Sequence, residues 1–186
     1  MKLKKYMKID LIILSIILII ALVSSRFLKE KMDSKIFFSF EFFVIGIILI
    51  RWRHKGLFAI FPSLILSNII MSIYNNSINF AELLTSLIFS LILYVVVFII
   101  KYLYQKNNKI EILGLFILFL IIFFAYCFSS SISLLIVKNR NFITTFFEGT
   151  YINSLSFFVT IIISFLFRKN EGLLVNQEQE FESDEQ

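Results

Sequence analysis

Long apolar runs separated by short polar breaks cover the chain from end to end. A helix crossing a hydrocarbon core about 30 Å thick needs roughly 20 mostly apolar residues. Six runs meet or approach that length: residues 9–25, 36–50, 57–73, 80–100, 110–137 and 146–167. The second contains Glu41, the third has Pro62 near its start, the fourth carries Glu82 at its head, and the sixth has Glu148 near its head. The second and third are joined by a short basic turn. No ten-residue alternation suggests a barrel, and lipid offers no partner to unpaired backbone groups, so the spans are expected to be helices. The pattern predicts an all-α, polytopic membrane protein: a six-transmembrane-helix bundle forming a single domain over residues 1–170. The acidic, polar stretch 171–186 is expected to be a disordered cytoplasmic tail. No small-residue cleavage site follows the first run, which reads as a retained helix rather than a signal peptide.

Composition strengthens this reading. The 186 residues are 59% hydrophobic, with 24 Phe, five Gly and one Pro, whereas soluble domains carry roughly 45–50% apolar residues. The net charge of +5 would suggest nucleic acid, but the Lys and Arg stand at the ends of apolar runs. No basic patch with interleaved aromatics occurs, so nucleic acid is set aside.

The cations also orient the chain, because cytoplasmic loops carry the excess of Lys and Arg. With the N-terminus inside, Lys2, Lys4, Lys5, Lys8, Arg51, Arg53, Lys55, Lys101, Lys106, Lys109, Arg168 and Lys169 are cytoplasmic, twelve in all. Six lie outside: Arg26, Lys29, Lys31, Lys35, Lys138 and Arg140. A multi-pass protein of the cell membrane with both termini cytoplasmic is expected. The first outer loop, residues 26–35, also carries Glu30 and Asp33 and is a candidate lid.

Ionisable residues inside a span are costly and mark a site or a pair by default. In this orientation Glu41, Glu82 and Glu148 all fall in the outer leaflet. Tyr74, Asn75, Asn76 and Asn79 gather at the same level, as do Asn68, Ser72 and the serines between 129 and 133. Tyr151 and Ile152 follow Glu148 by three and four residues and share its helix face, with Asn153 on a neighbouring one. The plain alternative is that the loop Asn residues contact lipid headgroups and that Glu41 pairs with Lys29, Lys31 or Lys35. Together these groups predict a negatively charged, aromatic pocket open to the outside, suited to a cationic or amine-bearing aromatic ligand.

Three segments carry a family resemblance. One is Glu41-Phe-Phe-Val-Ile-Gly-Ile-Ile-Leu-Ile-Arg51-Trp-Arg-His-Lys55-Gly56-Leu. The second is Asn79-Phe-Ala-Glu82-Leu-Leu-Thr-Ser-Leu-Ile-Phe, and the third is Glu148-Gly149-Thr150-Tyr151-Ile152. In order and spacing the chain resembles the substrate-binding (S) component of an energy-coupling factor (ECF) vitamin transporter, closest to the thiamine-specific group. The resemblance implies capture of a vitamin-like, thiamine-like or other cationic or aromatic molecule from outside. It implies docking on a membrane coupling subunit and two cytoplasmic ATPase subunits for ATP-driven uptake. Glu82 falls where the family has its ligand-binding acid, and Glu148 where it has a ligand-contacting Asn. The chain departs from the family at Leu83, where the family has Tyr, at or near Cys127, where it has a helix-five His, and near Ser154, where it has Pro. The only Trp, Trp52, lies on the cytoplasmic side. Glu82, Glu148, Tyr151, Glu41, Asn68, Tyr74 and Cys127 are therefore the candidate substrate-binding residues.

No cofactor, metal or catalytic residue is expected. An aspartyl mechanism needs two buried Asp, and Asp10, Asp33 and Asp184 are not mid-membrane. One His and one Cys do not make a metal site, and His54 lies in the basic turn, on the wrong side for a Ser–His pair. No phosphate-binding loop occurs. A glutamate-dependent intramembrane hydrolase using Glu82 or Glu148 is the lesser alternative, with no paired-Glu motif to support it. An accessory or structural subunit without a ligand would leave Glu41, Glu82 and Glu148 scattered or lipid-facing.

Overall fold

The computed structural model describes residues 2–31, 39–103 and 112–167, together with Gln177. Five helices follow one another: α1 (Lys2–Lys31), α2 (Glu41–Tyr74), α3 (Phe80–Leu103), α4 (Ile112–Lys138) and α5 (Phe142–Phe167). Each is long and apolar enough to cross a membrane, and no strand occurs among the described residues. The chain is thus an all-helical, multi-pass membrane protein. Of the expected lid at 26–35, residues 26–31 belong to α1, and residues 32–35 and the tail at 171–186, apart from Gln177, lie outside the described residues.

The expectation of six separate helices meets one difference. Residues 41–50 of the predicted span 36–50 and the whole of the predicted span 57–73 fall within α2, a 34-residue helix whose helical geometry is broken at Arg53 (φ 43°, ψ −123°). Ser25 and Arg26, neighbours on α1, bond Glu41 and Asn68 respectively. A straight helix would hold those two α2 residues about 40 Å apart. Gly56 also lies against the backbone of Ile48, its ideal Cβ position only 2.8 Å from the Ile48 carbonyl oxygen. The two arms of α2 therefore fold back on each other at Arg53. The reversal takes so little chain that no loop interrupts the helical assignment. The basic turn is not solvated throughout either, since Arg51 and Trp52 are both buried.

Asparagine makes the other two tight turns. Asn76 (φ 49°) occupies the left-handed position after α2, with Ser77 N–H donating to the Ser72 carbonyl and Asn76 N–H to that of Ile73. This is the six-to-one and five-to-two pattern that satisfies orphan carbonyls at a helix end. Asn139 (φ 50°) turns the chain after α4. Asn141 Oδ1 then accepts the N–H groups of Ile143 (2.9 Å) and Thr144 (3.3 Å), capping α5. Three loop asparagines thus have structural work independent of any headgroup.

Helix α2 is the hub, packing on all four other helices, while α3, α4 and α5 pack in sequence. Ring pairs Phe128–Phe142, Phe124–Phe146 and Phe123–Phe157 set α5 antiparallel to α4. Gly46 admits the fully buried Phe119 ring against the α2 backbone. On α5 the usual amphipathic order is inverted. Thr145, Asn153, Ser156, Thr160 and Ser164 form the buried stripe together with one large ring, Phe157, and Phe147, Leu155, Phe158 and Ile162 face out. Small and polar residues inside with large apolar ones outside suit helix contacts within lipid, where apolar side chains gain nothing by hiding.

Candidate functional site

The end of the bundle where α1 finishes and α3 begins holds an open cavity of about 210 Å³. Each helix presents one stripe to it. Helix α1 supplies Leu22, Ser25, Arg26 and Lys29; α3 supplies Glu82, Thr85, Ser86 and Phe89; α4 supplies Tyr126, Ser130, Leu134 and Lys138. These are i, i+3 and i+4 spacings, the signature of a single helix face. Glu41 and Leu64 of α2 and Asn153 of α5 complete the wall.

Glu41 sits low in this wall. Phe42, the next residue, meets the Tyr126 ring edge-on at 5.4 Å, and Tyr126 is three turns, about 18 Å, along α4 from Lys138. Only 6% of Glu41 is exposed. Ser25 Oγ donates to its Oε2 at 3.1 Å, and its own N–H donates to Ser39 Oγ. Arg26 and Lys29 exert their field on it, yet among the described residues no cation stands within ion-pair distance of it. A carboxylate removed from water without an ionic partner is costly unless a donor or cation reaches it.

The upper wall is internally paired. Arg26 Nη1 donates to Asn68 Oδ1 at 2.7 Å, and its Nε lies 3.6 Å from Glu82 Oε2. Asn68 Nδ2 donates to Ser86 Oγ (2.7 Å) and to the Leu64 carbonyl (2.9 Å). Ser86 Oγ in turn donates to the Glu82 carbonyl at 3.1 Å. Asn68 thus ties α1, α2 and α3 together at the cavity's shoulder. Tyr126, edge-on to Phe89 at 5.6 Å, forms the floor.

Of the candidates read from sequence, Glu41 and Glu82 line the cavity and Asn68 braces it. The structure does not bring the others there. Glu148 and Tyr151 lie on the exposed face of α5, because the inward stripe of that helix passes through Asn153. Tyr74 is exposed and packs edge-on to Phe27 at 5.5 Å. Cys127 is buried, one residue past Tyr126 and so turned about 100° from the cavity face. The expected negative charge is also corrected. Against Glu41 and Glu82 the wall sets Arg26, Lys29 and Lys138, because α1 runs on to Lys31 and carries onto a helix face the cations read as loop. No protein-family model, curated protein or solved structure matches the chain. Among the described residues no group of three His, Cys, Asp or Glu is placed to hold a metal.

Proposed function

We propose that this chain is the substrate-binding membrane subunit of an ECF-type transporter, capturing a small amine-bearing, vitamin-like molecule in the cavity between α1, α2, α3 and α4. The observation that carries the reading is Glu41: a buried carboxylate in a cavity wall, ion-paired with no described residue, above an aromatic floor. A ligand ammonium would supply a cationic partner that no described residue provides, and Tyr126 and Phe89 supply rings. The two arms of α2 count as separate crossings, which gives six in all and returns both termini to one side. The excess of Lys and Arg makes that side cytoplasmic, so the cavity opens outward at the cell membrane. A membrane coupling subunit and two cytoplasmic ATPases then drive release inward.

The test is thermal stabilisation of the detergent-solubilised chain by thiamine, pyridoxamine and other cationic ring compounds. Glu41→Gln keeps the shape and removes the charge, and weakens binding roughly 10–100-fold, the value of one charge-assisted hydrogen bond. Equal binding by native chain and variant removes Glu41 from the site. Co-purification with a coupling subunit and ATPases tests the assembly. The outward faces of Glu148 and Tyr151 favour a second reading, an accessory subunit without a ligand, for which no compound in the panel stabilises the chain.

A further inference from the structure

The charges in the cavity wall define the ligand more closely than an amine alone. Arg26 is engaged by Glu82 and Asn68, so that cation and that carboxylate satisfy each other. What remains is Glu41 low in the wall and two lysines: Lys29 from α1 and Lys138 from the last turn of α4. Both lysines are exposed, whereas Glu41 is 6% exposed. The wall is therefore polarised along its depth, negative below and positive at the mouth. The Tyr126 and Phe89 rings and the side chains of Leu22 and Leu134 line the same cavity. The volume of about 210 Å³ limits the body of the ligand. An apolar cavity of about 150 Å³ binds benzene, so this one admits a single ring with short substituents.

Building on the proposed capture function, we infer that the ligand is a one-ring zwitterion. Its ammonium enters first and meets Glu41, its ring lies against Tyr126 and Phe89, and its acid group, carboxylate or phosphate, is held at the mouth between Lys29 and Lys138. A bare cation would meet the same carboxylate but would have to pass two lysines that it cannot satisfy. A bare anion would bring no cation to the buried Glu41.

The inference is tested on the full chain in detergent micelles with three matched probes: 4-(aminomethyl)benzoate, benzylamine and benzoate. Pyridoxamine and pyridoxamine 5′-phosphate form a parallel pair that separates phosphate from carboxylate. The zwitterions are expected to bind about tenfold or more tightly than the matching amines, since each acid group gains charge-assisted contacts. The Lys29→Gln/Lys138→Gln double variant, changed only at exposed positions, is expected to erase that advantage and leave benzylamine binding as tight as before or tighter. Glu41→Gln is expected to weaken amine and zwitterion alike. Benzylamine binding as tightly as 4-(aminomethyl)benzoate, or a zwitterion indifferent to the double variant, overturns the inference while amine capture stands. Binding of none of the five probes overturns both.

Discussion

Asp10→Ala lowers the stability of the fold by about 3–5 kcal/mol, read as a fall of roughly 10 °C in thermal unfolding of the detergent-solubilised chain. Arg51 lies at the end of the bundle away from the cavity, with its side chain 10% exposed, and its Nε meets Asp10 Oδ2 at 3.0 Å. The same oxygen accepts the Trp52 indole N–H, and Arg51 Nη2 donates to Tyr6 Oη at 2.9 Å. Removing the acid leaves a guanidinium in a low-dielectric setting without its counter-charge, which costs far more than the pair contributes over apolar packing. Asp10→Asn, which still accepts from Trp52, is expected to lose less. The Asp10→Leu/Arg51→Met double variant is expected to recover most of the loss, because apolar side chains of similar volume carry no desolvation cost. An unchanged melting temperature for Asp10→Ala would show that this cluster does not hold the break at Arg53.

Gly56→Ala is the second large effect, a loss of about 1–3 kcal/mol from overpacking. An added Cβ at residue 56 would stand 2.8 Å from the Ile48 carbonyl oxygen and 2.7 Å from Ile48 Cγ2. Backbone cannot swing aside as a side-chain tip does, so the arms of α2 must separate. Gly149→Ala is the internal control. Nothing lies within 4 Å of its Cβ position, so there the change reports helix propensity alone and stabilises by about 0.5–1 kcal/mol. Melting curves of the two variants give opposite shifts if α2 doubles back tightly at Arg53. Shifts of the same sign would contradict that packing. Gly46→Ala differs from both, because its obstacle is the Phe119 side chain, so Phe119→Leu is expected to relieve it.

The cavity was partly legible in the sequence. Glu82 and Glu41 stood out because an acid in an apolar run has few bland explanations. Arg26, Lys29 and Lys138 did not, because a cation beside a span reads equally well as a headgroup anchor. Tyr126 was hidden among aromatic neighbours. One signal was available: stepping back four, eight and twelve residues from Lys138 passes through Leu134, Ser130 and Tyr126. Glu148 and Tyr151 stand away from the cavity because of the phase of α5. A shared helix face was correctly read, but which face points inward cannot be found from hydropathy on a helix whose outer side is as apolar as its core. Only the buried run of Thr145, Asn153, Ser156, Thr160 and Ser164 settles it.

Hydropathy alone determined that this is a helical membrane protein and roughly where its spans lie, because a bilayer demands long apolar segments with their backbone groups paired internally. It also marked which acids are costly where they stand. The reversal within α2, the pairing of Arg26 with Glu82, the burial of Glu41 and the inward phase of α5 were decided by tertiary structure. Each depends on which helix faces touch, and in lipid that choice rests on close packing and a few polar contacts between residues far apart in the chain.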